Sequence, residues 1–203
     1  FGLLAMQIWQ RDGGLTWDLA ILNRIHSTAQ PMLDQLAQML TPLGTKFGVF
    51  PATLLIAGRL LYVRHWRSLT YWLIALVGGG LLNRFAKLWL HRVRPSLWDS
   101  PPLPDFSFPS GHAMSSMVFV MALILLTIHQ PWHRWVWLLG GLFVVTIGWT
   151  RLYLGVHYPS DILAGWMLSI AWVIAVSLVV RPTRPITQET LPHAEASLPD
   201  PND

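Results

Sequence analysis

His157 and Asp161 stand four residues apart, a spacing that puts both side chains on one face of a helical turn. A carboxylate so placed accepts one imidazole N–H, fixes the tautomer and leaves the other ring nitrogen free to attack. Arg151 precedes them and adds a permanently charged planar fork suited to a phosphate. Pro159 favours the first turn of a helix, whose free N–H groups and positive dipole end would face the same spot. The same residues would equally serve as a helix cap beside an interfacial histidine.

Two more clusters carry similar chemistry. Lys87 and Arg94, followed by Pro95, pair a point charge with a fork, the combination that neutralises several oxygens of one phosphate. Taken alone they would also fit two cations snorkelling at a helix end. In Pro109-Ser110-Gly111-His112, the proline starts a helix and the serine supplies a hydroxyl. Gly111 lets backbone approach a ligand, and the exposed N–H groups form an anion site. His112 then stands beside the anion as a proton donor. This cluster alone would also fit a plain cap. Together the three clusters offer two histidines, a carboxylate, three cations and two helix N-termini. None has metal-ligand spacing or a Walker loop, so protein groups alone would bind the phosphate.

The elements that must position them are membrane helices. The chain has 203 residues, of which 53% are hydrophobic and 12% charged, with a mean hydropathy of +0.43. Soluble domains carry roughly a quarter charged residues. Apolar stretches long enough to span a bilayer lie at about 47–62, 69–89, 110–128, 135–150 and 162–180, so the chain reads as an all-α integral membrane bundle. Residues 1–9 read as the remnant of a first span, and 17–42 as an amphipathic segment broken by Pro31. The loop 93–108 is proline-rich, and the tail 182–203 is expected to be a disordered cytoplasmic extension of the domain over 1–181. The net charge of +4 comes from basic residues at helix ends rather than from one patch, so nothing points to nucleic acid. The absence of Cys excludes disulfides and thiolate chemistry. His129 and His133 flank Pro131 without a third ligand and read as turn residues.

Counting spans puts all three clusters on one face. The opposite side collects Arg59, Arg64, Arg67, Arg134, Arg181 and Arg184, and the positive-inside rule makes that side cytoplasmic. The clusters are thus expected on the external, periplasmic face of the inner membrane.

With these residues in view, the chain closely resembles the type 2 phosphatidic acid phosphatase superfamily, which includes lipid phosphatases, glucose-6-phosphatase and vanadium haloperoxidases. Its three motifs occur in order over about 17–181: Lys87 with Arg94 and Pro95, Pro109 to His112, and Arg151 with His157 and Asp161. Thr150 departs from the family's usual serine but keeps the hydroxyl. The resemblance implies a six-helix membrane fold, here with its first helix truncated, and no cofactor. It implies that His157 is the nucleophile and forms a phosphohistidine, with Asp161 orienting it. It makes His112 the acid on the leaving oxygen, and gives Lys87, Arg94, Ser110, Gly111 and Arg151 the non-bridging oxygens. The implied activity is metal-independent hydrolysis of a lipid phosphate or diphosphate, such as undecaprenyl diphosphate, phosphatidylglycerophosphate or phosphatidic acid. A phosphotransferase using the same intermediate, or a non-catalytic lipid-binding protein, are the alternatives. The expected partners are this lipid substrate and the surrounding membrane lipids; the sequence names no protein partner.

Overall fold

The computed structural model describes residues 1–9, 14–95 and 105–182. The tail expected beyond 182 and the centre of the 93–108 loop, with Ser96, lie outside the described residues. All regular structure described is helical, as an apolar chain in lipid requires, because a helix satisfies its backbone polar groups internally. The helices are α1 (Gly2–Trp9), α2 (Thr16–His26), α3 (Pro31–Leu40), α4 (Val49–Tyr62), α5 (Trp66–Leu90), α6 (Gly111–Leu126), α7 (His133–Tyr153) and α8 (Pro159–Val180), with a 3-10 turn at Thr41–Gly44.

Among the described residues, four helical runs are long and apolar enough to cross a membrane: Pro31–Tyr62, Trp66–Leu90, His133–Tyr153 and Pro159–Val180. The first joins α3, the 3-10 turn and α4, so the expected 47–62 stretch is the second half of a longer run. The 17–42 stretch holds two helices, with Pro31 in the opening turn of the second. At 16 residues, α6 is about 24 Å long, shorter than a hydrocarbon core of about 30 Å. It stops before 128 partly because the Thr127 hydroxyl donates to the Leu123 carbonyl at 2.8 Å, a local bond that favours helix ends.

Short α6 is the centre of the bundle, in contact with α4, α5, α7 and α8. Val118 and Ala122 from it pack with Tyr71, Trp72 and Ala75 of α5 and with Val173 and Val176 of α8. Val120 and Ile124 meet Val144 of α7. Buried indoles tie neighbours together, since no water is at hand to take their N–H. Trp72 donates to the Thr53 carbonyl of α4 at 3.1 Å, and Trp172 of α8 to that of Ala75 at 3.0 Å. Helices α2 and α3 close one end of the bundle. There the Tyr153 hydroxyl of α7 accepts from the Gln30 amide at 3.0 Å and donates to Asp34 at 2.8 Å.

From α4 to α8 the helices alternate in direction. The starts of α6 and α8 and the ends of α5 and α7 therefore share one end of the bundle, which gathers the three motifs. At that end α6 and α8 approach closely at Gly165. A Cβ there would lie 3.2 Å from the Ser110 carbonyl oxygen and 3.3 Å from both Ala113 and Met114. Gly165→Leu should therefore wedge α6 from α8 and destabilise by about 1–3 kcal/mol or more. Gly141→Leu, on an exposed stretch of α7 with open space around it, should leave stability nearly unchanged. Thermal unfolding in detergent tests this, and equal melting temperatures for the two variants would refute the close contact.

Candidate active site

Helix α7 ends at Tyr153, and the chain turns back within five residues to begin α8 at Pro159. Gly155 takes φ 64° in this turn, a left-handed conformation that side chains resist. The turn delivers His157 to a buried position, 1% exposed. Its Nδ1 lies 3.3 Å from Asp161 Oδ2, which also accepts the Tyr158 amide at 2.9 Å and so closes the first turn of α8. On the other side of the ring, Arg94 Nη1 lies 3.1 Å from Nε2. A guanidinium only donates and an ionised carboxylate only accepts, so the proton sits on Nδ1 and the lone pair on Nε2. Burial lowers the His157 pKa to about 4, with the charges of Arg151 and Arg94 adding to the shift and the Asp161 bond only partly opposing it. At neutral pH the ring is therefore uncharged, with the Nε2 lone pair available.

His157 lines a polar cavity of about 370 Å³ together with Lys87, Arg94, Gly111, His112 and Arg151. Six of the eight residues expected from the sequence thus meet in one cavity. Asp161 lies behind His157 and Ser110 behind Gly111, both fully buried. The Ser110 Oγ has no hydrogen-bond partner among the described residues, and its amide donates to the Asp161 carbonyl at 3.1 Å, joining the heads of α6 and α8. Gly111 and His112 open α6, where the first-turn N–H groups have no partner within the helix.

Each cation is held by a group that the sequence reading passed over. Lys87 donates to the Asp105 carboxylate and, at 2.6 Å, to the Phe106 carbonyl. Arg94 donates to the Asp105 carbonyl at 2.8 Å, and its Nη2 lies 3.6 Å from the carboxylate. Burial alone would raise the Asp105 pKa, but the bond from Lys87 and the charges of Lys87 and Arg94 outweigh it, so the group is held below its ordinary value and stays ionised. Arg151 Nη1 donates to the Thr41 hydroxyl at 2.8 Å, and Thr45 Oγ1 lies 3.4 Å from His112 Nε2. The turn between α3 and α4 therefore touches both Arg151 and His112. Among the described residues, no group of three His, Asp or Glu side chains is arranged as metal ligands are.

Behind the cavity lies a second layer, also unforeseen. Arg92 bridges Asp161 and Asp18 of α2, all three buried. A signal for Asp18 does exist in the sequence: it stands four residues before Leu22, and both are fully buried on the inner face of α2. Nothing local marks Arg92 off from its neighbours Arg94 and His91.

Comparison with known proteins agrees with this geometry. Residues 68–185 match the model of the PAP2 superfamily. The chain is 35% identical to phosphatidylglycerophosphatase B of Bacillus subtilis over 161 residues, 75% of this chain and 78% of the relative. It is 30% identical to an undecaprenyl-diphosphatase of Sulfolobus acidocaldarius, covering 86% of this chain and 84% of that one. The crystal structure of a transmembrane PAP2-type phosphatidylglycerolphosphate phosphatase from Bacillus subtilis superposes with a TM-score of 0.77 at 29% identity, over 91% of this chain and 94% of that one. With its motifs gathered at one end of a helical membrane bundle, the chain belongs to the PAP2 superfamily and is a multi-pass membrane phosphatase.

Proposed function

We propose that the protein hydrolyses a lipid phosphate or diphosphate, without a metal, through a phosphohistidine at His157. The observation that carries the lipid part is a second cavity adjoining the first. It has a volume of about 770 Å³ and is apolar, lined by residues such as Phe50, Leu54, Leu73, Val77 and Met114 of α4, α5 and α6. The two cavities share Thr45, Asn83 and Gly111. A phosphate seated among the cations therefore has a hydrocarbon-lined space for its chain. Undecaprenyl diphosphate, phosphatidylglycerophosphate and phosphatidic acid all fit that description.

In the first step the Nε2 lone pair of His157 forms a bond to phosphorus. The bond from phosphorus to the leaving oxygen breaks, and that oxygen keeps the pair and takes a proton from His112. Lys87, Arg94, Arg151 and the first-turn N–H groups of α6 stabilise the charge on the non-bridging oxygens. In the second step a water gives its proton back to His112 and attacks phosphorus, and the pair of the N–P bond returns to Nε2. Asp161 holds Nδ1–H throughout and stabilises the cationic ring.

Rapid quench with ³²P-labelled lipid in EDTA tests the reading. An acid-labile, base-stable phosphoenzyme should form in the wild type and be absent in His157→Ala. His112→Ala should lose about 10²–10⁴-fold on a lipid monophosphate but far less on p-nitrophenyl phosphate, whose leaving group needs no proton. Turnover abolished by EDTA and restored by magnesium would refute the metal-free mechanism.

Asp105 competes with the substrate for Lys87 and Arg94. Asp105→Asn should lower the inhibition constant of vanadate severalfold, together with the KM, because both cations are released to the oxyanion. A higher vanadate inhibition constant would make Asp105 a support for Lys87 instead of a competitor.

The site is placed on the external side, because the turns at the opposite end carry Arg59, Arg64, Arg67 and Arg134. A cysteine introduced at Asp105 should react with an impermeant reagent in intact cells and one at Arg64 should not. The chain has no native Cys to confuse the result. Labelling at 64 alone would reverse the orientation.

A further inference from the structure

The layer behind His157 does more than fasten α2 to α8. Asp18 Oδ2 accepts Arg92 Nη2 at 2.9 Å, the Ser160 hydroxyl at 2.7 Å and the Leu15 amide at 3.0 Å. Its Oδ1 accepts the Ser160 amide at 2.8 Å. Arg92 Nη1 donates to Asp161 Oδ1 at 2.5 Å and to the Ser160 hydroxyl at 2.7 Å. Its guanidinium lies 4.2 Å from the centre of the Tyr158 ring. The side chains of Arg92, Asp18 and Asp161 are 1%, 0% and 0% exposed.

The charges do not cancel. Two carboxylates face one guanidinium, which leaves one negative charge buried while the His157 ring is neutral. An imbalance of this kind is costly away from water, and a simple tie between two helices would not require it. It is removed when the ring becomes cationic, which is what bond formation between Nε2 and phosphorus does. From the cavity side Arg94 and Arg151 oppose a cationic ring, and the incoming phosphate oxygens draw on those two cations. From the buried side, among the described residues, the carboxylate layer favours it.

We propose that Asp18 of α2 is a positioning residue that acts through Arg92: by taking up the guanidinium charge, it leaves the charge of Asp161 to the His157 ring and so favours the phosphorylated state. Arg92 fixes Asp161 Oδ1, so that Oδ2 stays turned to Nδ1. The inference rests on the phosphohistidine reading above, since the step it favours is the formation of the N–P bond.

Asp18→Asn is the decisive variant. It keeps the shape and leaves Arg92 and Asp161 as a balanced pair, so the fold should survive. Single-turnover phosphorylation by ³²P-labelled lipid should slow on the order of tenfold, the effect of one partly screened unit charge several ångströms from the ring. Inhibition by inorganic phosphate, which meets the cavity cations without a bond to Nε2, should stay near wild type. The melting temperature should fall, because the amide offers one acceptor oxygen where the carboxylate receives four donors. Ser160→Ala removes hydrogen bonds between the same two helices without changing charge, and should phosphorylate at nearly the wild-type rate. Asp18→Asn phosphorylating as fast as wild type would overturn the proposal. So would an equal loss in Ser160→Ala, a parallel fall of rate and phosphate affinity in Asp18→Asn, or failure of Asp18→Asn to fold. Each of those makes Asp18 a structural tie or a bystander. A wild type that yields no phosphoenzyme at all overturns the underlying reading, an outcome visible before any variant is made.

Discussion

A carboxylate buried at the head of a membrane helix needs partners on both oxygens, and in Asp161 those partners come from two parts of the chain. Arg92 holds one oxygen, and His157 and the Tyr158 amide share the other. These bonds fix the imidazole, close the first turn of α8 and draw in the segment that follows α5. The same segment carries Arg94 two residues on, so the placement of Arg92 against Asp161 also brings Arg94 to the far side of the imidazole ring. His91 permits this by ending α5 in the left-handed region, with φ 47°, which turns the chain inward straight after Lys87. One buried ion pair thus fixes the positions of His157, Asp161 and Arg94 relative to one another.

The rest of the bundle isolates that arrangement. Packing α6 at the centre places its N-terminus against α8, with the Ser110 amide bonded to the Asp161 carbonyl. The opening of α6 then faces the cavity with its first-turn N–H groups, whereas the opening of α8 is closed from behind by Asp18, which accepts the Ser160 amide. Burial keeps water from His157 and leaves its ring uncharged although the Asp161 carboxylate lies against it. Helices α2 and α3 close this end from outside, and the turn that follows them reaches Arg151 through Thr41.

How far the sequence revealed this depended on distance along the chain. His157 with Asp161, Lys87 with Arg94, and a helix start near Pro109 were legible because each lies within one helical turn or two and has a local geometric meaning. Helix α6 nevertheless begins two residues later than the proline suggests, at Gly111 with Ser110 as its cap. Helix α6 could be found from its apolar run but not its central place, because centrality depends on what surrounds it. Asp105 stood in the sequence as one more acid in a proline-rich loop. Its pairing with Lys87 closes a loop of 18 residues that no periodicity describes. Asp18 belonged to an amphipathic stretch where a lone acid is ordinary, and its partner Arg92 is 74 residues away. Only the fold brings such groups together.

The apolar cavity beside the site has walls from α4 and α5 that are themselves exposed to the surroundings, with Phe50 62% and Val77 60% accessible. In a bilayer those surroundings are hydrocarbon. A lipid can therefore slide in sideways, chain first, and its headgroup never has to leave the membrane plane. Water would meet the same phosphorus in the polar cavity lined by Lys87, Arg94 and Asp105. The two reactants come from different phases, so the concentration that governs encounter is the mole fraction of the lipid in its leaflet. Diluting the substrate with inert lipid, at constant amount per volume of solution, lowers that quantity directly.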